Sequence, residues 1–261
     1  MQNRTYLQEG LKYSSRILNS INQMSSTTAT ASASTPVTVW KAEDGIGGIE
    51  VLEVFGSDLT VVNAARVSFN KTVDTMTERD TKLIKFLADH DHVSPFFHPQ
   101  ARLRIKMPIF VAREWFRHTV GFARNEVSRR YVDSDPEIWV PSATGLRERD
   151  PKLKQGSKET PVDGADALVG EIAAASEAAV GFYKSLMARG VAPEIARSVL
   201  PQGMYTEFIE TASLAAYARL WALRTDPGAQ REIQAYARGI EMLLMPHFPV
   251  SWAALTPSSS E

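Results

Sequence analysis

The segment Ala101-Arg102-Leu103-Arg104-Ile105-Lys106-Met107 alternates apolar and long cationic residues without a break. A side-chain period of two belongs to an extended strand, so the alternation predicts a strand with one face in a core and the other in water. Pro108 follows, in the place where a first-turn proline belongs, because its missing N–H would be unbonded there anyway. Ile109–His118 is expected to be the helix it opens. Together with the elements below, this implies an α+β fold: one domain with helices packed on a small mixed or antiparallel sheet.

Other stretches give weaker versions of the same two patterns. Ile49–Phe55 and Asp58–Val62 read as short strands around a Gly56-Ser57 turn. Thr77–Asp89 reads as a helix, with Thr77 as N-cap, Glu78 and Asp80 in the first turn, and Leu83, Ile84, Phe86 and Leu87 as its apolar face. Asn125–Val132 is expected to be extended, and the polar Pro141–Pro161 stretch to be a surface loop. Ala165–Arg189 is an Ala-rich helix stopped by Gly190. Pro193–Leu200 is a short helix and Met204–Thr211 a strand. Ser213–Leu223 and Gly228–Met245 are helices, the last stopped by Pro246 and Pro249. The expected domain runs over residues 39–255. Residues 1–38, which hold the low-complexity run Ser25–Thr35, read as a disordered tail or a transit-like extension, with Met24 as an alternative start.

Composition narrows the chemistry. The 261 residues contain no cysteine, so there is no disulfide, no thiolate metal ligand and no thiol nucleophile. The absence of disulfides fits a reducing compartment, here the cytoplasm unless the N-terminal extension directs organelle import. The five histidines, His90, His92, His98, His118 and His247, form no ligand motif, so no metal centre is expected. The net charge of −1 does not suit a general polyanion binder; recognition of phosphate has to be local, and nucleic acid is not the expected partner. No apolar run approaches the roughly 20 residues a membrane-spanning helix needs.

That local site is residues 113–132. Arg113, Arg117, Arg124, Arg129 and Arg130 stand there against Glu114 and Glu126, five cations to two anions. Guanidinium forks bind phosphate bidentately, and converging arginines can hold a nucleotide. A charge run is ordinarily a solvated face. Here it is interleaved with Trp115, Phe116, Phe122, Val127 and Tyr131, which favour burial, and it crosses an expected element boundary, where sites tend to form. In an extended segment Ser128 and Arg130 would point to one side.

Arg117-His118 followed by Asn125-Glu126-Val127-Ser128-Arg129-Arg130-Tyr131 resembles the signature of the flavin-dependent thymidylate synthases. Ala65-Arg66-Val67-Ser68, His92-Val93-Ser94-Pro95-Phe96, Pro108–Phe116, Arg197-Ser198-Val199-Leu200-Pro201 with Tyr205-Thr206, and Leu223-Arg224-Thr225-Asp226 with Ala229-Gln230 and Glu232-Ile233 resemble further elements of that family, in order, over about residues 60–245. The absence of cysteine agrees, because reduced flavin removes the need for a thiol that adds to the uracil ring.

The resemblance implies a homotetramer with active sites shared between subunits. FAD would be the cofactor, and dUMP, methylenetetrahydrofolate and NADPH the small-molecule substrates. It implies dUMP contacts from Glu114, Arg117, Glu126, Ser128, Arg129, Arg130, Arg197 and Arg224. In the same resemblance Arg224 would be the catalytic residue, a fixed cation for charge developing on the pyrimidine. It implies FAD contacts from Ser68, His92, Ser94, Arg117, His118, Thr119, Glu126 and Arg219. The sequence departs from the family at Thr119, where the usual Arg-His-Arg reads Arg117-His118-Thr119, and the interval to Asn125 is one residue longer. Arg124 and Arg219 are the candidates to replace the lost flavin-phosphate arginine. Glu114 stands where glutamine is usual. These departures leave two alternatives: a nucleotide- or RNA-binding module without flavin chemistry, and a flavin-dependent methylase of another uracil-containing substrate.

Overall fold

The computed structural model describes residues 39–131, 134–152 and 156–257. The expectations for residues 1–38 lie outside these. Five strands, β1 (Val39–Lys41), β2 (Gly48–Phe55), β3 (Gln100–Pro108), β4 (Phe122–Glu126) and β7 (Tyr205–Ser213), form one sheet in the order β1-β2-β3-β7-β4. Every pairing in it is antiparallel. A second, two-stranded antiparallel sheet joins β5 (Arg147–Arg149) to β6 (Ser157–Pro161).

The alternation in β3 does what its chemistry demands. Ala101, Leu103, Ile105 and Met107 are buried, and their register partners on β7 are Ala212, Glu210, Phe208 and Thr206, also buried. Burying Leu103, Ile105 and Met107 contributes about 1.5–3 kcal/mol each. On the other face Arg102 pairs with Glu53, Arg104 with Glu50, and Lys106 with Glu137. Helices cover the first face: α1 (Asp58–Arg66), α2 (Glu78–Asp89), α3 (Ile109–Trp115), α6 (Leu214–Arg224), α7 (Arg231–Leu244) and α8 (Pro249–Leu255). Trp115, Trp252, Tyr217, Phe96, Phe208 and Phe248 are the largest side chains in the core beneath them. The long α4 (Ala165–Ala188) and the one-turn α5 (Pro193–Ala196) complete the described helices, with α4 closed by Gly190 at φ +81°.

Thr77 caps α2 as expected, its N–H and hydroxyl both donating to the Asp80 carboxylate. Four expectations need correction. Asp58–Val62 is the start of a helix: its β-branched residues mimic a strand, but the buried Asp58 carboxylate accepts the Val250 and Ser251 N–H groups at the start of α8. The Pro141–Pro161 stretch contains the β5–β6 hairpin, pinned by Arg147 Nε donating to Ser157 Oγ at 2.7 Å. Pro249 begins a helix instead of only stopping one. The extended run after Asn125 ends early: Val127 N–H still reaches the Glu207 carbonyl at 2.9 Å, then Tyr131 N–H bonds the Ser128 carbonyl at 2.9 Å and turns the chain. No helix among the described residues is long and apolar enough to cross a membrane.

Candidate active site

The site grows from the end of α3. Its last turn delivers Glu114, and the chain then runs through Phe116, Arg117 and His118 into a turn at Gly121 before entering β4. Gly121 has φ +84°, a conformation that disfavours a side chain, and an added Cβ would stand 3.1 Å from the Ala216 Cβ. That close approach seats the turn on the start of α6. The Ser94–Phe97 turn lies on the same side, since the Gly121 Cβ position is also 3.8 Å from the Phe97 ring.

Arg224, at the end of α6, is held by three acceptors. Its Nε donates to His118 Nε2 at 2.9 Å, one terminal nitrogen to Glu114 Oε2 at 3.2 Å, and the other to the Glu114 carbonyl at 3.1 Å. His118 is buried, and burial, followed by the charges of Arg224, Arg124, Arg219 and Arg117, lowers its pKa to about 4. The imidazole is therefore neutral at physiological pH, and Nε2 is free of a proton and able to accept from Arg224. The same four arginines place a concentrated positive field around one histidine.

Two of these arginines differ sharply. Arg219 is exposed and donates to the Val120 carbonyl at 2.7 Å. Arg124, expected as a flavin-phosphate ligand, turns inward instead. It pairs with Glu210, donates to the His118 carbonyl at 2.5 Å, and lies over the Phe122 and Phe116 rings at 4.6 and 5.4 Å. The physical reason is register: Arg124 faces Glu210 directly across β4 and β7, on the helix-covered side of the sheet.

Beyond β4, Glu126 accepts a hydrogen bond from the Thr206 hydroxyl at 2.6 Å. Ser128, Arg129 and Arg130 sit on the turn that follows. The Ser128 hydroxyl faces the Arg130 N–H at 3.4 Å, Arg129 bonds the Ser134 carbonyl, and the Arg130 guanidinium lies 5.1 Å from the centre of the Tyr131 ring. Because this stretch turns, the shared-side argument for Ser128 and Arg130 no longer applies. Arg117, Arg130, Arg197 and Arg219 are exposed and make no ion pair among the described residues. Thr119 is likewise exposed.

Within one chain the remaining candidates make no hydrogen bond, ion pair or ring contact with this cluster among the described residues. Ser68 is exposed on a short 3-10 turn, Val67–Phe69, after α1. His92 and Ser94 are exposed, and the His92 ring stands 6.1 Å from Phe86 and 6.4 Å from His90. Arg197 opens the 3-10 turn Arg197–Val199 after α5. The sequence reading missed Glu210, a carboxylate with 0% exposure. Its signal was present as the one acidic residue in the inward series 206, 208, 210, 212 of the expected strand.

An open antiparallel sheet with one helix-covered face, and a cluster of guanidiniums around a neutral histidine at its edge, marks a domain built to handle an anionic ligand. The model of the family described as "Thymidylate synthase complementing protein" matches residues 50–250, and the chain belongs to that family. A flavin-dependent thymidylate synthase of Thermus thermophilus is 37% identical over 208 residues, which cover 80% of this chain and 75% of that protein. One from Kosmotoga olearia is 38% identical over 209 residues, covering 80% and 89%. Among solved structures, a UMP/dUMP methylase, PolB from Streptomyces cacaoi, bound with 5-Br dUMP, superposes with a TM-score of 0.72 at 32% identity, over 80% of this chain and 94% of that one.

Proposed function

We propose that this chain is a flavin-dependent thymidylate synthase. It methylates dUMP reductively to dTMP, with FAD as cofactor and methylenetetrahydrofolate and NADPH as co-substrates. The observation that carries the reading is the three-point clamp on Arg224 by His118 and Glu114, beside Arg117 and Arg219, which have no carboxylate partner among the described residues. A clamped cation is already oriented when negative charge develops on a pyrimidine carbonyl, so no reorganisation is needed in the transition state.

The donor set suits a flavin dinucleotide. The exposed Arg117 and Arg219 guanidiniums flank His118, with the exposed Thr119 hydroxyl between them in the chain. They are forks of the kind that grip a pyrophosphate. Arg219 takes over the place of the second arginine missing from the signature; Arg124 does not, being committed to Glu210. When bound, FAD supplies the reducing equivalents that replace thiol chemistry in a cysteine-free chain.

In this reading Arg130, Arg129 and Arg197 bind the dUMP phosphate, while Ser128 and Glu126 hydrogen-bond the nucleotide. Glu126, oriented by Thr206, also borders the flavin with Ser68, Ser94 and His92. The catalytic domain spans residues 39–255 and assembles as a homotetramer with shared sites. Sharing accounts for Arg197, Ser68 and His92 standing apart from the cluster within one chain. It also accounts for Val67 and Phe69, which are 72% and 75% exposed beside Ser68. A cytoplasmic location completes the reading.

The relatives and structure reported above all carry enzyme names, so the flavin-free binding module is not favoured. Release of tritium from 5-tritiated dUMP tests the proposal. We expect release that requires both NADPH and methylenetetrahydrofolate, with a weaker signal from 5-tritiated UMP. No release after reconstitution with FAD would overturn it, and preferential release from UMP would move the activity to the ribonucleotide.

A further inference from the structure

Glu210 is the buried ion that the reading above leaves without a task. It lies on β7 with no solvent exposure, between the apolar inward residues Phe208 and Ala212. The Trp115 indole N–H faces both its oxygens, at 3.2 and 3.3 Å, and Arg124 pairs with it from the opposite strand. Burial pushes the Glu210 carboxyl up, against the lowering pull of Arg124; burial and this carboxylate likewise push the enclosed Tyr217 phenol up. A buried ion pair is weak as a source of stability, because desolvation offsets most of the attraction. The inward neighbours on the strand, Phe208 and Ala212, fill the sheet with apolar groups and need no ion.

A leucine there would not fix a guanidinium. Arg124 is held on one edge by Glu210 and between the Phe116 and Phe122 rings, which leaves a terminal N–H aimed at the His118 carbonyl, 2.5 Å away. His118 is the residue whose Nε2 accepts from Arg224. The chain of contacts is thus Glu210 to Arg124, Arg124 to the His118 backbone, and the His118 ring to Arg224. We propose that Glu210 and Arg124 are a positioning pair: they lock the backbone of His118, and through its imidazole they set the orientation of the Arg224 guanidinium. This rests on the thymidylate synthase reading, in which Arg224 meets the substrate.

Two variants separate positioning from mere support. Arg124→Lys keeps a cation for Glu210 but replaces the fork by a single nitrogen, which does not reproduce the separate Nε and terminal N–H donors that hold Glu210 and the His118 carbonyl in one plane. Glu210→Leu combined with Arg124→Leu removes both ions, a change that buried pairs commonly tolerate in stability. For each, melting temperature, kcat/KM for dUMP, and the nitrogen-15 signals of His118 Nε2 and Arg224 Nε would be measured. We expect melting within a few degrees of the unsubstituted enzyme, kcat/KM lower by about tenfold to hundredfold as misplacement of a catalytic group predicts, and loss of the hydrogen-bonded Arg224 Nε–H signal. A stable variant of either kind with unchanged turnover and an unchanged Arg224 signal would overturn the proposal. If the unsubstituted protein releases no tritium, the functional reading fails, and the nitrogen-15 signals still decide the positioning claim alone.

Discussion

Arg124 and Arg130 are six residues apart in one cationic run, yet they meet opposite fates. Arg124 is fixed on the helix-covered face of the sheet by Glu210, two aromatic rings and a backbone carbonyl. Arg130 is exposed on the turn after β4, its guanidinium over the Tyr131 ring. The difference is one of register and strand length. Position 124 lies inside β4 opposite an inward residue, whereas position 130 lies beyond the last bridge of that strand at Glu126. A run of like charges is therefore not one site but two layers, an inner one paired within the chain and an outer one with no ion pair among the described residues; in our reading the first orients and the second meets a ligand.

The largest test of that division is Arg224→Ala. Arg224 belongs to the inner layer and in our reading also meets the pyrimidine. We expect kcat to fall by about a hundredfold to a thousandfold, as for loss of a preorganised transition-state donor, with an unchanged melting profile in circular dichroism. Near-normal turnover would break the comparison at its most committed residue. Arg130→Lys comes next: a point charge in place of a fork should weaken dUMP binding about tenfold by titration calorimetry. An unchanged dissociation constant would show that the outer layer does not hold the nucleotide.

The smallest expected effect is at the turn joining the layers. Gly121→Ala places a Cβ at φ +84° and 3.1 Å from the Ala216 Cβ. It should cost on the order of 1 kcal/mol in urea unfolding. A neutral result would mean that the turn is not held against α6 as tightly as the site requires.

The sequence was legible where a pattern had one cause. The β3 alternation, the Thr77 cap and the Gly190 stop are local, and each appears in the fold as expected. The misreadings have non-local causes. Asp58-Leu59-Thr60-Val61-Val62 has the β-branched content of a strand, but its aspartate bonds backbone almost two hundred residues away, at the start of α8. Arg124 looked like a ligand because nothing near it in the chain shows that Glu210 waits across the sheet. Of the candidate site, the clamp of Glu114, His118 and Arg224 is assembled within one chain. Arg197, Ser68 and His92 make no hydrogen bond or ion pair with it among the described residues, and linear spacing does not encode where they stand.

The central claim is that the outer guanidiniums and the clamped Arg224 face a single bound nucleotide. A crystal structure with FAD and dUMP tests it most directly. The account predicts Arg130 and Arg197 on the phosphate, Arg224 against a pyrimidine carbonyl with its bond to His118 Nε2 kept, and Arg124 still paired with Glu210. A dUMP bound away from Arg224, with these side chains pointing into solvent after the subunits assemble, would contradict it.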